Sequence, residues 1–347
     1  MIFEFQHLGC VHFRKNYLNQ RDKTPKGEKM VTLKELHSFS VGEGIKEDPR
    51  EKKKIEKLLE KRKENFEDMK DPKKEHYDKD RLENPFDDSK VIYGEDSEVE
   101  KMAVGIDIET QDLILIDRLN EKGEDIDAAF GHHPEGRALA NLHKVMGLQI
   151  DTLEQAGIPV SQAEGIVRPR ADEVKKGVHA SNHPRTPRTA ELLDIPFMTL
   201  HTICDNHAYQ FMKDHLEKED PETLGNVVDA ILKIPEYEWS LDYDMGPEIF
   251  TGDKDNRAGK IEVLGFTGGT SLKEDLIEKM VESGIDTLIV MHAPKKQIEK
   301  AKEENINIIS AGHMPSDSLG INLLLDKIHE EFGVEIVELS GFKRIER

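Results

Sequence analysis

Three short motifs combine histidine with glycine, proline or aspartate at spacings that could serve a metal site. The first is Gly131-His132-His133-Pro134, which follows the apolar segment 126–130. Neighbouring residues on a regular strand point to opposite faces, so two adjacent histidines converge only where a strand ends and turns. Glycine and proline favour such a turn. Taken alone, this motif leaves a metal site and two histidines in a polar loop equally open.

The second and third motifs place a histidine four residues before an aspartate. They are His201–Asp205, after the apolar segment 197–200, and His313–Asp317, after the segment 306–310. Residues four apart share one face of a helix, and imidazole with carboxylate is a common ligand pair for a divalent transition metal. The competing explanation is helix capping, by Asp205 in one helix and by Ser316 or Asp317 in the other.

All three motifs directly follow predicted strands, at the edge where α/β folds place their sites. Together they supply more imidazoles and carboxylates than one tetrahedral ion needs. Two neighbouring cations that share a carboxylate would use them, and such a pair can activate water and clamp a phosphate or carbonyl oxygen. The motifs therefore predict two divalent metal ions, with zinc, iron and manganese all open.

The elements that must position these motifs are visible as alternating apolar and amphipathic segments from about residue 99. Strands are predicted at 102–108, 126–130, 197–200, 261–266, 287–291, 306–310 and 334–339, and helices at 109–122, 272–283, 295–304 and 318–332. Strands that alternate with helices of this length are typical of α/β architecture.

The residues before 99 differ in texture. Residues 1–29 show no clear periodicity, and we expect them to be disordered or an artefact of gene-start assignment. Met30 could be the natural start, because it directly precedes a capping box formed by Thr32 and Glu35. Residues 30–98 are predicted to form a charged helical extension that serves packing or oligomer contacts rather than catalysis.

Two proline signals and one apolar stripe support helices in that extension. Asp48-Pro49 and Asp71-Pro72 each offer an N-cap followed by a first-turn proline, and the second helix would end before Asn84-Pro85. The stripe follows helical spacing and consists of Ile55, Leu58, Leu59, Phe66 and Met69.

Composition excludes several classes of protein. The 347 residues carry a formal net charge of -21, which repels a phosphate backbone and makes general nucleic-acid binding unlikely. No apolar run approaches the length of a transmembrane helix, and the N-terminus lacks a secretory signal pattern. The two cysteines, Cys10 and Cys204, exclude a disulfide scaffold and favour a reducing cytoplasm. We interpret Cys204 as a small buried residue rather than a nucleophile.

At these motifs the chain resembles the NIF-three-like family of dinuclear-metal proteins, some of which are labelled GTP cyclohydrolase type-one alternatives. The family pattern is a strand with an aspartate (here Ile106-Asp107-Ile108), a Gly/Ser-His-His-Pro turn, a His-Thr-x-x-Asp stretch and a late Gly-His-x-x-x-Glu. The resemblance covers about residues 100–340. It implies two similar α/β lobes, 99–222 and 223–347, the second of which need not be continuous. Their mixed sheets would be flanked by helices, with the metals in the cleft between the lobes. It also implies a homo-oligomeric ring, a hexamer of paired subunits.

The resemblance also implies roles for individual residues. Asp205 would be the bridging carboxylate, and His201 would contact substrate or shuttle protons. The chain departs from the family at Asp317, where the family usually has glutamate. The aspartate side chain is shorter, so its carboxylate lies one bond nearer the backbone. The implied metal ligands are His132, His133, Asp205, His313 and Asp317.

Two further features bear on the substrate. The segment between His133 and His201 is the most basic part of an acidic chain. It could hold an anion or be a solvent-exposed loop tied by salt bridges, which we favour. Its candidate residues are Arg168, Arg170, His179, Asn182, His183, Arg185 and Arg188. His292, at the end of a predicted strand, is a second candidate for substrate contact or proton transfer, against a structural role. The glycine-rich turn 265–271 lacks the lysine of a P-loop and predicts a capping box formed by Ser271 and Glu274.

Three functions follow as hypotheses. The first is a metal-dependent hydrolase acting on a small anionic, nucleotide-like substrate, with His201 or His292 moving protons. The second is a non-catalytic metal-binding, regulatory or metal-delivery protein, since no dedicated nucleophile is visible. The third, a structural assembly protein with incidental metal, ranks last because structural need rarely explains five convergent ligands.

Overall fold

The structure, a computed structural model, describes residues 30–347. These residues form an α/β fold with two mixed sheets flanked by helices, which confirms the predicted fold class. The expectations for residues 1–29 lie outside the described residues. Across 30–347, no helix combines the length and the apolar character that crossing a membrane requires.

The strands are short and mostly buried. Those with four apolar or small residues in a row, such as β3, are covered on both faces, as is usual for parallel sheets. The strands are β1 Ser89–Tyr93, β2 Lys101–Gly105, β3 Ala128–Gly131, β4 Phe197–Leu200, β5 Glu248–Thr251, β6 Ile261–Leu264, β7 Thr287–Val290, β8 Asn307–Ser310 and β9 Glu335–Glu338.

The helices connect and cover the strands. They are α1 Leu33–Lys46, α2 Lys52–Glu67, α3 Thr110–Glu121, α4 Gly136–Asn141, α5 Leu148–Gln155, α6 Val160–His179, α7 Arg185–Leu193, α8 His201–Glu219, α9 Leu224–Leu232, α10 Pro235–Ser240, α11 Asp275–Glu282, α12 Lys295–Glu304 and α13 His313–Phe332. Short 3-10 helices cover Lys79–Leu82, Leu142–Gly147 and Leu241–Tyr243.

The two sheets share one plan. The first has the order β1-β4-β3-β2-β9 and the second has the order β5-β8-β7-β6. In each, three strands that follow one another in the chain lie parallel, and the strand that precedes them pairs antiparallel at the edge. The chain therefore runs through the same strand arrangement twice, and β9 returns to extend the first sheet beside β2.

Helices α8 and α13 pack against both sheets and against each other. Ile203 and Leu325 belong to the apolar core of the first sheet, while Met212 and Leu319 belong to that of the second. Gly320 on α13 lies so close to α8 that a Cβ there would fall 2.3 Å from the carbonyl oxygen of Cys204. This close contact sets the spacing between two helices that each begin with a histidine of the predicted site.

Several predictions about the first hundred residues need correction. The Thr32–Glu35 capping box is present, and the apolar stripe on α2 is at least partly buried. A helix from Asp71-Pro72 is absent, because residues 70–80 offer Tyr77 as their one large apolar side chain and have no stripe to bury. Residues 89–93, predicted within the helical extension, instead form β1, which pairs with β4.

The proposed domain boundaries stay predictions. The first sheet includes β1, which comes before residue 99, and β9, which comes after residue 222. The capping box predicted at Ser271 and Glu274 is wrong: α11 begins at Asp275 without a side-chain cap, and the Ser271 hydroxyl contacts His292 instead. The segment between His133 and His201 is helical, in α4 to α7, rather than a loop.

Candidate metal centre

The three histidine motifs meet at the carboxyl ends of the parallel strands. His132 and His133 follow β3, His201 follows β4 as the first residue of α8, and His313 follows β8 as the first residue of α13. Asp205 and Asp317 lie inside α8 and α13, four residues after the opening histidine, so neither is an N-cap. The capping explanation for these carboxylates is therefore wrong, and their side chains are free to face the histidines.

Two donor sets share the carboxylate of Asp317. In the inner set, Nε2 of His132 lies 3.4 Å from Oδ1 of Asp205 and 3.5 Å from Oδ1 of Asp317. In the outer set, Nε2 of His133 and Nε2 of His313 each lie 3.5 Å from Oδ2 of Asp317. Although aspartate is one bond shorter than glutamate, Asp317 reaches both sets.

The donor sets have the chemistry that a divalent transition metal requires. In each set the candidate ligand atoms lie within 4.8 Å of one another. Nε2 of His132 and Oδ1 of Asp317 are buried and have no hydrogen-bond partner, although buried polar atoms are normally paired. Imidazole nitrogen and carboxylate oxygen suit zinc, iron and manganese. The residues therefore fit a metal ion in each set.

Neighbouring groups orient the ligating atoms. Nδ1 of His133 donates to Oδ1 of Asp107 over 2.6 Å, and Nδ1 of His132 lies 3.4 Å from the carbonyl oxygen of Leu200. A proton held at Nδ1 leaves the Nε2 lone pair facing the shared carboxylate of Asp317. Metal-binding histidines are usually held in this way.

The histidines of the cluster differ in the direction in which their pKa values are shifted. Burial, which outweighs the attraction of Asp317, lowers the pKa of His132 to about 4, so its imidazole is neutral at pH 7. Burial acts in the same direction on His201, but the carboxylates of Asp205 and Asp88 raise the pKa of His201 to about 9. Burial would raise the pKa of Asp317, yet His132, His313 and His133 lower it to about 2. Neutral imidazole beside an ionised carboxylate is the protonation state that metal binding needs.

The side chain of His201 is oriented by Asp88, a residue that was not predicted from the sequence. Its Nδ1 donates to Oδ2 of Asp88 over 2.8 Å, and the hydroxyl of Thr202 donates to the same oxygen over 2.7 Å. Asp88 is fully buried. It lies within the charged stretch before β1, and only the pairing of β1 with β4 brings it to this place.

His292 lies at the edge of the same cluster. Its ring centre is 5.1 Å from that of His313, and its Nε2 contacts the Ser271 hydroxyl over 3.0 Å. In the repeated strand arrangement, His292 is two residues past the end of β7, as His133 is two residues past the end of β3.

The basic segment is not part of the cluster. Arg168 pairs with Glu164, and Arg188 pairs with Glu191, each over 2.5 Å on exposed helix faces. Arg170 reaches the carbonyl oxygen of Ser271 and so supports the turn that contacts His292. The salt-bridged interpretation fits these contacts, on helices rather than on a loop.

Known structures share this fold. A NIF3 superfamily protein from Sphaerobacter thermophilus is 25% identical, with a TM-score of 0.65 over 74% of this chain and 92% of that one. The structural neighbours of the chain are therefore NIF3 superfamily proteins. The family resemblance predicted from the histidine motifs is thereby confirmed.

Other comparisons are more distant. Reduced HcgD from Methanocaldococcus jannaschii is 13% identical, with a TM-score of 0.47 over 72% of this chain and 87% of that one. A "GTP cyclohydrolase 1 type 2 homolog" from Archaeoglobus fulgidus is 25% identical over 96 residues, which are 28% of this chain. That match spans 37% of the relative's length. No protein-family model matches the chain.

Proposed function

We propose that the chain is a metal-dependent hydrolase that acts on a small anionic, nucleotide-like substrate and holds two divalent metal ions. The observation that carries this proposal is the sharing of Asp317 between two donor sets, with unpartnered buried atoms at His132 and Asp317. The Archaeoglobus fulgidus relative is called a GTP cyclohydrolase homolog, and this name supports a nucleotide-like substrate and a ring-opening hydrolysis of the GTP cyclohydrolase kind.

The ligand roles follow from the two donor sets. His132, Asp205 and Oδ1 of Asp317 would hold one ion, while His133, His313 and Oδ2 of Asp317 would hold the other. This arrangement favours Asp317 as the bridging carboxylate, in place of Asp205. Metal ions bound there would supply Lewis acidity and an activated water molecule.

Histidines beside the donor sets would transfer protons and contact the substrate. His201 touches the inner donor set, with Nδ1 3.6 Å from Oδ2 of Asp205, and this position would let it transfer protons there. His292 lies beside the exposed end of the outer set and is the second candidate for proton transfer or substrate contact. Asp88 would keep His201 in place.

The alternative is a non-catalytic metal-binding, regulatory or metal-delivery protein. One observation favours it: the side chain of His313 is 45% exposed, so an incoming ligand could reach the outer set from solvent. Tight metal binding without turnover across a broad panel of nucleotides and phosphoesters, and transfer of the metal to an apoprotein, would favour this alternative.

Assembly and location complete the proposal. The apolar side chains of Ile114, Leu115 and Leu192 are exposed on the neighbouring helices α3 and α7. They offer a surface for homo-oligomer contacts, for which we propose a hexameric ring. We propose a cytoplasmic location from the two cysteines of the chain.

The proposal predicts about two divalent ions per chain in purified protein and loss of turnover in His133→Ala. A fully active His133→Ala protein would refute the hydrolase. Metal analysis of two matched variants tests the bridge: Asp317→Asn should lose both ions, while Asp205→Asn should lose one. Equal losses in the two variants would contradict the assignment of Asp317 as the shared ligand.

A further inference from the structure

A basic pocket lies beside the start of helix α8, where Thr202 lines it. It has a volume of about 260 Å³ and lies between α2 and the segment that leads into α5. Four cationic side chains line it, together with one acid, Asp151. The cationic side chains are Arg50, Lys54, Arg62 and Lys144. In a chain with a formal net charge of -21, this concentration of positive charge is unusual.

Three of the four cations already have carboxylate partners. Arg50 pairs with Asp48 over 2.6 Å, and Lys54 pairs with Asp151 over 2.7 Å. Arg62 pairs with Asp87, which lies just before β1. These pairs order the guanidinium and ammonium groups around the pocket. The cations are therefore held in place before any ligand arrives, which lowers the entropy cost of binding.

Lys144 differs from the other three. Among residues 30–347 no carboxylate lies within ion-pair distance of its ammonium group, and it lines the pocket together with three other cations. Burial, together with the positive charges of Arg81, Arg62 and Lys90, lowers the pKa of Lys144 to about 8 despite the opposing effect of Asp87. An anion in the pocket would relieve this crowding.

The pocket is connected to the metal centre by one residue. Thr202 lines the pocket, and it directly follows His201 at the start of α8. Its hydroxyl and Nδ1 of His201 both donate to Oδ2 of Asp88. A group bound in the pocket would therefore contact the residue that shares Asp88 with His201.

We propose that this pocket binds a phosphoryl group of a small molecule through Lys144 and its neighbouring cations. Planar guanidinium groups and a lysine ammonium are the usual partners of phosphate oxygens. The proposal deepens the proposed hydrolase, because the pocket would hold the anionic part of its substrate. It also relocates the anion from the basic segment 168–188 to residues contributed by the first hundred residues and by 144–151.

Phosphate binding to the purified full-length chain tests this site. Inorganic phosphate is titrated by calorimetry into the wild type and into Lys144→Gln, which removes one charge without removing a metal ligand. The dissociation constant should rise by about tenfold, the usual effect of one charge-assisted contact. Lys53→Gln is the matched control, because Lys53 is exposed on the same helix as Lys54 and does not line the pocket. It should leave the dissociation constant within about twofold.

Two further measurements separate the possible outcomes. Metal content should be unchanged in Lys144→Gln, while phosphate binding should persist in His313→Ala, so failure of the metal proposal and failure of the pocket proposal are distinguishable. A nucleoside monophosphate that binds more tightly than phosphate identifies a substrate handle, whereas equal affinity identifies a site for the free ion. Absence of saturable phosphate binding, or equal weakening by Lys53→Gln and Lys144→Gln, would overturn the proposal.

Discussion

The contact between α8 and α13 at Gly320 offers a direct test of how the metal centre is positioned. In Gly320→Ala the new Cβ would lie 2.3 Å from the carbonyl oxygen of Cys204 and 2.8 Å from its carbonyl carbon. Both neighbours are backbone atoms, so no side chain can rotate away. Since ordinary contacts exceed 3.0 Å, the two helices must separate by about 1 Å.

We expect two measurable effects from that separation. Overpacking of this kind should lower the free energy of unfolding by about 3 kcal/mol, the upper part of the usual range, because the contact is with backbone. Asp205 directly follows Cys204, and Asp317 lies one helical turn before Gly320, so the separation also disturbs both donor sets. Metal affinity should fall about tenfold, as it does when the support of a ligand is lost.

Urea unfolding and metal titration of the same samples measure these effects. Gly177→Ala is the matched control, because Gly177 lies inside α6 and a Cβ there would meet no atom within 4 Å. That substitution should be neutral or stabilise the protein by up to about 1 kcal/mol, the helix propensity difference between glycine and alanine. If Gly320→Ala unfolds at the same urea concentration as the wild type, the argument from helix spacing is wrong.

Three further predictions follow from individual contacts. Asp88→Asn should lower the pKa of His201 from about 9 towards 6.5 in a histidine NMR titration, because it removes a carboxylate that opposes the effect of burial; Asp107→Asn, which changes only a partner of His133, is the control. Burial lowers the pKa of His37, so the unfolded chain takes up a proton near pH 6.5 that the folded chain does not. The free energy of unfolding should therefore fall as the pH drops below about 6.5, and His37→Gln should flatten that slope; an unchanged slope contradicts the assignment. Thr32→Ala should cost about 1 kcal/mol in urea unfolding, because it removes the capping box of α1.

Local sequence patterns were sufficient to predict elements whose signals lie within their own residues. Strand β4 and helix α12 occupy the residues predicted for them, since a short apolar run and an amphipathic stretch after a proline indicate these elements without reference to the rest of the chain. The histidine motifs were likewise visible, because the turn residues and the four-residue spacing lie within each motif. The predicted helix at 71–84 failed because its capping signal lacked an apolar face to bury.

Long-range pairing decided the rest. Strand β1 and the buried Asp88 could not be recognised, because the strand lies in a charged stretch and its partner β4 is more than one hundred residues away. Whether Asp205 or Asp317 is shared depends on distances between α8 and α13, which the spacing inside each motif does not contain.

The sequence by itself determined which residues carry the chemistry and that they follow strands, because residue type, turn residues and helical spacing are local properties. The tertiary structure alone decided that the carboxylate oxygens of Asp317 face the two donor sets. It also decided that Lys144 lines the same pocket as the cations of α2. Those arrangements arise where separate segments pack together, at α13 against α8 and at α2 against residues 144–151.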